Sequence, residues 1–170
     1  MAHHNIVLTG LPRSGKSTLL QKIILSLDNT HGFMTLEVRD GNERKGFEIS
    51  TSDGRHRMLA SVDIDSPLRV SRYGVDIAGL DETIEPLFSF SRDQILYIDE
   101  IGQMELYSQR FIDLARTYLD AKNPLIATMS SVYQHGFIEE VRLRKDVVIF
   151  DITPENRVRM YEEIRSLPRS

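Results

Sequence analysis

Short apolar runs rich in β-branched residues alternate along the chain with stretches whose apolar residues have helical spacing. The first run, Asn5 to Thr9, is typical of a buried parallel strand. Four apolar residues then recur at i, i+3, i+4 and i+7 and define one helical face: Leu20, Ile23, Ile24 and Leu27. Three later runs have the same character as the first: 94–98, 124–128 and 147–151. The pattern predicts an α/β fold, with a mainly parallel central sheet flanked by helices on both faces.

A different pattern occupies residues 33–62, directly after the first predicted helix. Strand-like runs are separated there by two turn sequences, Asp40-Gly41-Asn42 and Ser52-Asp53-Gly54. The runs cover residues 31–39, 45–50 and 57–61. We therefore expect an antiparallel β-meander inserted after the first strand-helix unit of a single domain that spans residues 1–170.

The remaining segments predict an edge strand and four more helices. The edge strand lies around residues 68–73, and the helices cover 77–90, a stretch after residue 106, 136–143 and 153–167. The helix after residue 106 has one apolar face, made by Tyr107, Phe111, Leu114, Ala115 and Tyr118. In the last helix Thr153 is the expected N-cap, and Pro154 lies in the first turn.

The loop between the first strand and the first helix matches the pattern G-x-x-x-x-G-K-[ST] from Gly10 to Ser17. Its glycines let several backbone N–H groups point into one concavity, which suits an anion at the start of a helix. Lys16 can reach the β and γ phosphates of a triphosphate, and the Ser17 hydroxyl can ligate Mg²⁺. The sequence therefore predicts a triphosphate site with Mg²⁺ as its cofactor.

Two adjacent acids, Asp99 and Glu100, end the apolar run 94–98. An aspartate at the end of a buried strand is the usual group that orients the water shell of the metal ion. Glu100 can then position or deprotonate an attacking water, provided that the chain turns after Asp99, and Gly102 permits such a turn. The alternative is that both acids only begin a helix as favourable charges.

An arginine near the γ-phosphate can neutralise charge in the transition state, and four positions offer one. Arg13 lies in the loop and either overhangs the phosphates or is solvated. Arg39 is expected to form an ion pair with Glu37. Arg72 reaches the γ-phosphate only if its own loop folds over the site. Arg157 follows Asn156 in the segment of the last predicted helix.

Three further residues have two possible roles each. Asn156 and Arg157 either flank the base or are ordinary residues of the last helix. Thr128 either senses the γ-phosphate or packs at the end of its strand. Because the carboxyl ends of parallel strands meet at one edge, Thr128, Asp99 and the glycine loop are expected along the same rim.

Composition limits the partners and the chemistry of the chain. It has 170 residues, a formal net charge of −4 and no cysteine. The acidic balance makes nucleic acid an unlikely partner, and the missing cysteines exclude disulfides, thiolate zinc sites and cysteine nucleophiles. Since no apolar run approaches a span of about 20 residues and the first four residues do not resemble a secretory signal, no membrane association and a cytoplasmic location are expected.

Several blocks in one order resemble the small P-loop nucleoside triphosphatases first described from thermophiles and related to the cancer-related nucleoside triphosphatase. The blocks are Gly10 to Thr18, Gly32 to Arg39, Gly46 to Ile49, Arg72 to Val75, Ile98 to Leu106, Ala127-Thr128, Thr153 and Asn156-Arg157. The resemblance implies a RecA-like P-loop NTPase fold and Mg²⁺-dependent hydrolysis of ATP, GTP, CTP and UTP to nucleoside diphosphates. It also implies broad base tolerance.

The resemblance, together with the motifs, gives a set of candidate residues. The catalytic candidates are Lys16, Glu100 and Arg72, and the metal candidates are Ser17 and Asp99. The nucleotide-binding candidates are Gly10, Leu11, Pro12, Arg13, Ser14, Gly15, Lys16, Ser17, Thr18, Leu96, Tyr97, Ile98, Asp99, Glu100, Ile101, Gly102, Gln103, Thr128, Asn156 and Arg157. The chain departs from the family pattern at Arg72 and Gln103, where lysine is common, and at Ser71, where glycine is common.

Two other functions remain open on the sequence alone. A P-loop kinase would pass the γ-phosphoryl group to a nucleoside or small metabolite, although no arginine-rich lid is evident between residues 104 and 145. A nucleotide-gated interaction module would bind the triphosphate tightly and hardly turn over. The sequence indicates no particular protein partner.

Overall fold

The computed structural model describes residues 5–167, which form a nine-stranded mixed sheet with five α-helices. The strands are β1 (Asn5–Thr9), β2 (Thr30–Asp40), β3 (Glu43–Thr51), β4 (His56–Ser61), β5 (Arg69–Val70), β6 (Tyr73–Val75), β7 (Ile95–Ile101), β8 (Leu125–Met129) and β9 (Val147–Asp151). The helices are α1 (Lys16–Leu25), α2 (Ile77–Ile84), α3 (Gln109–Asp120), α4 (Gly136–Leu143) and α5 (Arg157–Ser166). Two 3₁₀ turns cover Glu85–Phe88 and Glu105–Tyr107.

The strand order is β5-β6-β4-β3-β2-β7-β8-β1-β9, and the five strands from β2 to β9 in this order are parallel. β2 joins the two halves of the sheet. Its first residues, Thr30 to Phe33, pair in parallel with β7, and its residues from Phe33 to Asp40 pair antiparallel with β3. The predicted meander is therefore confirmed, and it extends the central sheet rather than forming a separate layer.

Side chains alternate between two cores on opposite faces of the sheet. On β1, Ile6 and Leu8 pack in the core that contains residues of α1 and α5, whereas Val7 belongs to the core formed with α2, α3 and α4. This alternation follows from the period of two along a strand, and burial of both faces explains why the parallel strands are apolar throughout.

The structure differs from the sequence predictions at the ends of two helices. The last helix begins at Arg157 because Thr153 and Asn156 close a turn first, in which the Thr153 N–H donates to Asn156 Oδ1 (2.8 Å) and the Asn156 N–H donates to Thr153 Oγ1 (3.2 Å). The helix predicted over 77–90 leaves the α conformation after Ile84, near Pro86, which has no N–H to donate.

The predicted edge strand is a small hairpin of β5 and β6, with Ser71 at a positive φ of 55° in its turn. Tyr107 precedes α3, whose N-cap is Ser108. The expectation of no secretory signal depends on the first four residues, which lie outside the described residues. Within residues 5–167, no helix is both long enough and apolar enough to cross a membrane.

The packing of α3 against the sheet gives a test of the fold. Phe111 is fully buried and meets Phe33 edge to face, with ring centroids 6.0 Å apart. We expect Phe111→Ala to lower the free energy of unfolding by about 3–5 kcal/mol, because it removes buried apolar surface and leaves a cavity. The measurement is equilibrium unfolding in urea. Val158→Ala, at a side chain that is 75% exposed, is the control and should change stability by less than about 0.5 kcal/mol.

Candidate functional site

A cavity of about 840 Å³ opens at the carboxyl ends of the parallel strands. Its wall includes the glycine loop, the start of α1 and residues of the meander. The predicted residues on its wall are Gly10, Pro12, Arg13, Gly15, Lys16, Ser17, Thr18, Asp99, Glu100 and Gln103. Residues far apart in the sequence therefore meet at one site, as the rule for open α/β sheets predicts.

The glycine loop depends on two glycines at positive φ. Gly10 has a φ of 153°, and a Cβ there would lie 2.5 Å from the carbonyl oxygen of Ile152. Gly15 has a φ of 95°, and a Cβ there would lie 3.0 Å from Nη1 of Arg157. Both contacts come from the segment after β9, so the end of the chain packs directly against the loop. Only glycine fits at either position.

Asp99 is buried near the carboxyl end of β7 and is held by two hydroxyl groups. Ser17 Oγ donates to Asp99 Oδ1 at 2.8 Å, and Thr128 Oγ1 donates to the same oxygen at 2.5 Å. Burial raises the pKa of Asp99 to about 6, and the hydrogen bond from Thr128 acts in the opposite direction. The carboxylate thus connects α1, β7 and β8, and Thr128 lies behind it rather than on the cavity wall.

The donor set fits Mg²⁺. Carboxylate and hydroxyl oxygens are its preferred ligands, and neighbouring oxygens of an octahedral Mg²⁺ ion lie about 2.9 Å apart. The Ser17 and Asp99 oxygens are 2.8 Å apart. Among residues 5–167, no three His, Cys, Asp or Glu side chains are grouped to hold a metal.

Glu100 reaches the glycine loop. The regular pairing of β7 with β8 is interrupted between Ile98 and Ile101, and Glu100 Oε2 lies 3.5 Å from Nζ of Lys16. A Cβ on Gly102 would lie 2.8 Å from both Cγ and Oε1 of Glu100, so the glycine leaves room for this carboxylate. Asp99 and Glu100 belong to a strand, which is contrary to the alternative that they begin a helix.

Sequence reasoning gave no role to two polar residues of this wall, Thr35 and Glu105. Thr35 Oγ1 lies 2.7 Å from the carbonyl oxygen of Asp99 and 3.3 Å from Oε1 of Glu105. Glu105 is 3% exposed, and burial together with the charge of Glu100 raises its pKa to about 8. No local pattern signals this pair, because Thr35 comes from β2 and meets Glu105 only in the folded sheet.

The arginines are arranged differently from the expectation. Arg72 is outside the cavity wall, where Nη1 pairs with Glu43 at 3.3 Å and Nη2 donates to the carbonyl of Arg44. Arg44 and Arg13 are on the wall instead. The Arg44 guanidinium is held by Oε1 of Glu37 at 3.0 Å and the Tyr73 hydroxyl at 3.0 Å. The structure therefore does not bring Arg72 to the site.

The expected pair of Arg39 with Glu37 is present at 2.8 Å. Other predicted nucleotide-binding residues are off the cavity wall. Leu96, Tyr97, Ile98 and Ile101 are buried in the cores, Leu11 is exposed, and Ser14 is buried within the loop. Asn156 caps the turn before α5, and Arg157 covers Gly15 from outside.

A family model described as NTPase matches residues 5–165. The chain belongs to this NTPase family. The nucleoside-triphosphatase THEP1 of Thermotoga maritima is 38% identical over 166 residues, which cover 95% of this chain and 94% of the relative. The crystal structure of THEP1 from Aquifex aeolicus superposes with a TM-score of 0.87 at 34% identity, covering 97% of this chain and 99% of that one.

A human member of the NTPase family also has a solved structure. The solution structure of a human cancer-related nucleoside triphosphatase gives a TM-score of 0.80 at 34% identity, with 95% of each chain covered. These matches confirm both the family resemblance and the P-loop NTPase fold expected from the sequence, with mostly parallel central strands flanked by helices.

Gly102 gives a test of how the NTPase site is built. We expect Gly102→Ala to slow phosphate release from ATP by about 10- to 100-fold, because the new Cβ displaces the Glu100 carboxylate while the fold is retained. Gly136→Ala is the matched control, since a Cβ at Gly136 meets nothing within 4 Å. Equal rates for the two variants would contradict the arrangement.

Proposed function

We propose that the protein hydrolyses nucleoside 5′-triphosphates to the diphosphate and inorganic phosphate, with Mg²⁺ as cofactor and with broad tolerance of the base. The observation that carries this proposal is the approach of Glu100 to Lys16, with Oε2 and Nζ 3.5 Å apart beside the buried Asp99. It places a carboxylate next to the lysine that pairs with the terminal phosphates. The names of the relatives, which are nucleoside-triphosphatases, support the same reaction.

The phosphates are held by the glycine loop. Backbone N–H groups at the start of α1 face the anion, and Lys16 pairs with the β and γ phosphates. Ser17 and Asp99 would hold Mg²⁺, which when bound neutralises charge on the β and γ oxygens. Lys16 lies 3.5 Å from Glu100, and Ser17 contacts the adjacent Asp99, so a γ-phosphate held by these residues would lie close to the Glu100 carboxylate.

Glu100 activates the attacking water. The water oxygen attacks the γ-phosphorus, its proton passes to the Glu100 carboxylate, and the bond between the γ-phosphorus and the β–γ bridging oxygen breaks. Lys16 stabilises the charge that remains on the leaving diphosphate. Because every contact in this scheme goes to phosphate or to the ion, the scheme discriminates little between ATP, GTP, CTP and UTP. The cytoplasmic location expected from the sequence stays a prediction.

A second candidate is phosphoryl transfer to a small acceptor. The cavity wall also includes apolar side chains that an attacking water does not require: Met34, Leu36, Phe47, Val70 and Met104. An acceptor hydroxyl there would take the place of water. Product analysis distinguishes the two reactions, since a hydrolase releases one phosphate for each diphosphate formed without any acceptor present.

The central test measures phosphate release from ATP, GTP, CTP and UTP with and without Mg²⁺. We expect Lys16→Ala to lose nucleotide binding, and Glu100→Gln to bind nucleotide but hydrolyse it at least about 100-fold more slowly, because it removes the general base. Lys22→Ala is the control, at a lysine of the same helix that lies over the Tyr161 ring. A loss of less than about threefold in Glu100→Gln would refute the role of Glu100.

The two arginines near the meander give a second test. Arg44 is on the cavity wall, so we expect Arg44→Ala to slow hydrolysis by about tenfold or more through lost charge stabilisation. Arg72→Ala should slow it by less than about threefold, because Arg72 is off the cavity wall. The reverse order of effects would restore Arg72 as the catalytic arginine.

A further inference from the structure

A buried carboxyl group, Glu105, lies beside the proposed catalytic edge and has no part in the scheme above. It begins the 3₁₀ turn that follows β7, is 3% exposed and faces the cavity. Burial is the main cause of its raised pKa, and the neighbouring acids Glu100 and Asp99 raise this pKa further. A carboxyl group buried next to two other acids is stable only when it carries a proton or gains strong hydrogen bonds.

The hydrogen bonds around Thr35 indicate where that proton is. Thr35 Oγ1 is within reach of two acceptors, the carbonyl oxygen of Asp99 at 2.7 Å and Oε1 of Glu105 at 3.3 Å. A hydroxyl has one proton to donate and can accept in addition. Thr35 donates its proton to the Asp99 carbonyl, which is the nearer acceptor. The contact with Glu105 is then a hydrogen bond only when the Glu105 carboxyl is protonated and donates to Thr35 Oγ1. The chain of donors runs from Glu105 through Thr35 to the Asp99 carbonyl.

We propose that Glu105 is a positioning residue, which acts through Thr35 to hold the main-chain carbonyl of Asp99 and thereby orients Glu100. The Asp99 carbonyl belongs to the peptide that joins the proposed metal residue to the proposed base. Fixing that carbonyl fixes the direction in which the Glu100 side chain leaves the strand. This inference rests on the proposed function, since it assumes that Glu100 acts on the water.

Ionisation of Glu105 breaks the chain of donors. A carboxylate competes with the Asp99 carbonyl for the single proton of Thr35, and it adds a second negative charge close to Glu100. The other charged groups on the cavity wall are Arg13, Lys16, Glu37, Arg44 and Asp99. Because the pKa of Glu105 lies at about 8, the positioning is complete near neutral pH and is lost as the pH rises through this value.

The experiment compares kcat and KM across about pH 6 to 10 in the wild type, Glu105→Gln, Glu105→Ala and the control Glu162→Gln, whose side chain is exposed on α5. The glutamine amide always donates and never ionises, so Glu105→Gln should keep a kcat near that of the wild type at neutral pH. Its kcat should also not decrease as the pH rises to about 10. In the wild type and the control, kcat should decrease by about fivefold or more over this range. Glu105→Ala should lose about tenfold in kcat with little change in KM.

Thr35→Val provides a double-mutant cycle with Glu105→Ala. If both residues act through one chain, the double variant loses no more kcat than either single variant. Independent structural roles would make the two losses multiply, which would overturn the proposal. An alkaline fall that persists unchanged in Glu105→Gln would overturn it as well, and so would a Glu105→Gln variant as inactive as Glu105→Ala.

Equilibrium unfolding gives a readout that needs no hydrolysis. The pKa of Glu105 is raised from 4.5 in the unfolded chain to about 8 in the folded protein, so the unfolded state binds fewer protons between these values. The wild type should therefore lose stability as the pH rises through this window, and Glu105→Gln should lose less.

A wild type that hydrolyses no triphosphate at any pH would refute the proposed function. A wild type that hydrolyses but shares its pH profile with Glu105→Gln would refute only the role of Glu105.

Discussion

The burial of one carboxylate organises the site. Asp99 lies near the carboxyl end of β7 in the centre of the sheet, and its side chain has almost no contact with water. Removing a carboxylate from water is costly unless hydrogen bonds or a cation compensate. Here the compensation comes from Ser17 on α1 and Thr128 on β8, so the cost of burial ties three elements together at the place where phosphate and metal would bind.

Local patterns predicted the parts of the structure that depend on local sequence. The glycine loop lies between β1 and α1 as its motif requires, and the apolar runs became the parallel strands. The acids after the run 94–98 were found because a strand end is a short-range signal. Even the late start of α5 had a signal in the sequence, since Thr153 and Asn156 are spaced to bond each other's backbone.

The residues that sequence reasoning missed depend on long-range pairing. Arg44 reaches the cavity because β3 folds back beside β2, and Thr35 meets Glu105 because β2 lies next to β7. The prediction of Arg72 as the catalytic arginine relied on a loop folding over the site, and the β5–β6 hairpin instead places that side chain against Glu43. Registers between distant strands are not encoded in local periodicity, so no spacing rule could have found these contacts.

The contacts of the two loop glycines have a consequence for synthesis of the chain. Gly10 and Gly15 are closed in by Ile152 and Arg157, which come far later in the sequence, and β1 has β9 as its outer neighbour. Because translation proceeds from the N-terminus, the glycine loop is made long before the segment that completes its surroundings. On the ribosome, the loop therefore reaches its final surroundings only after the segment that follows β9 has been made.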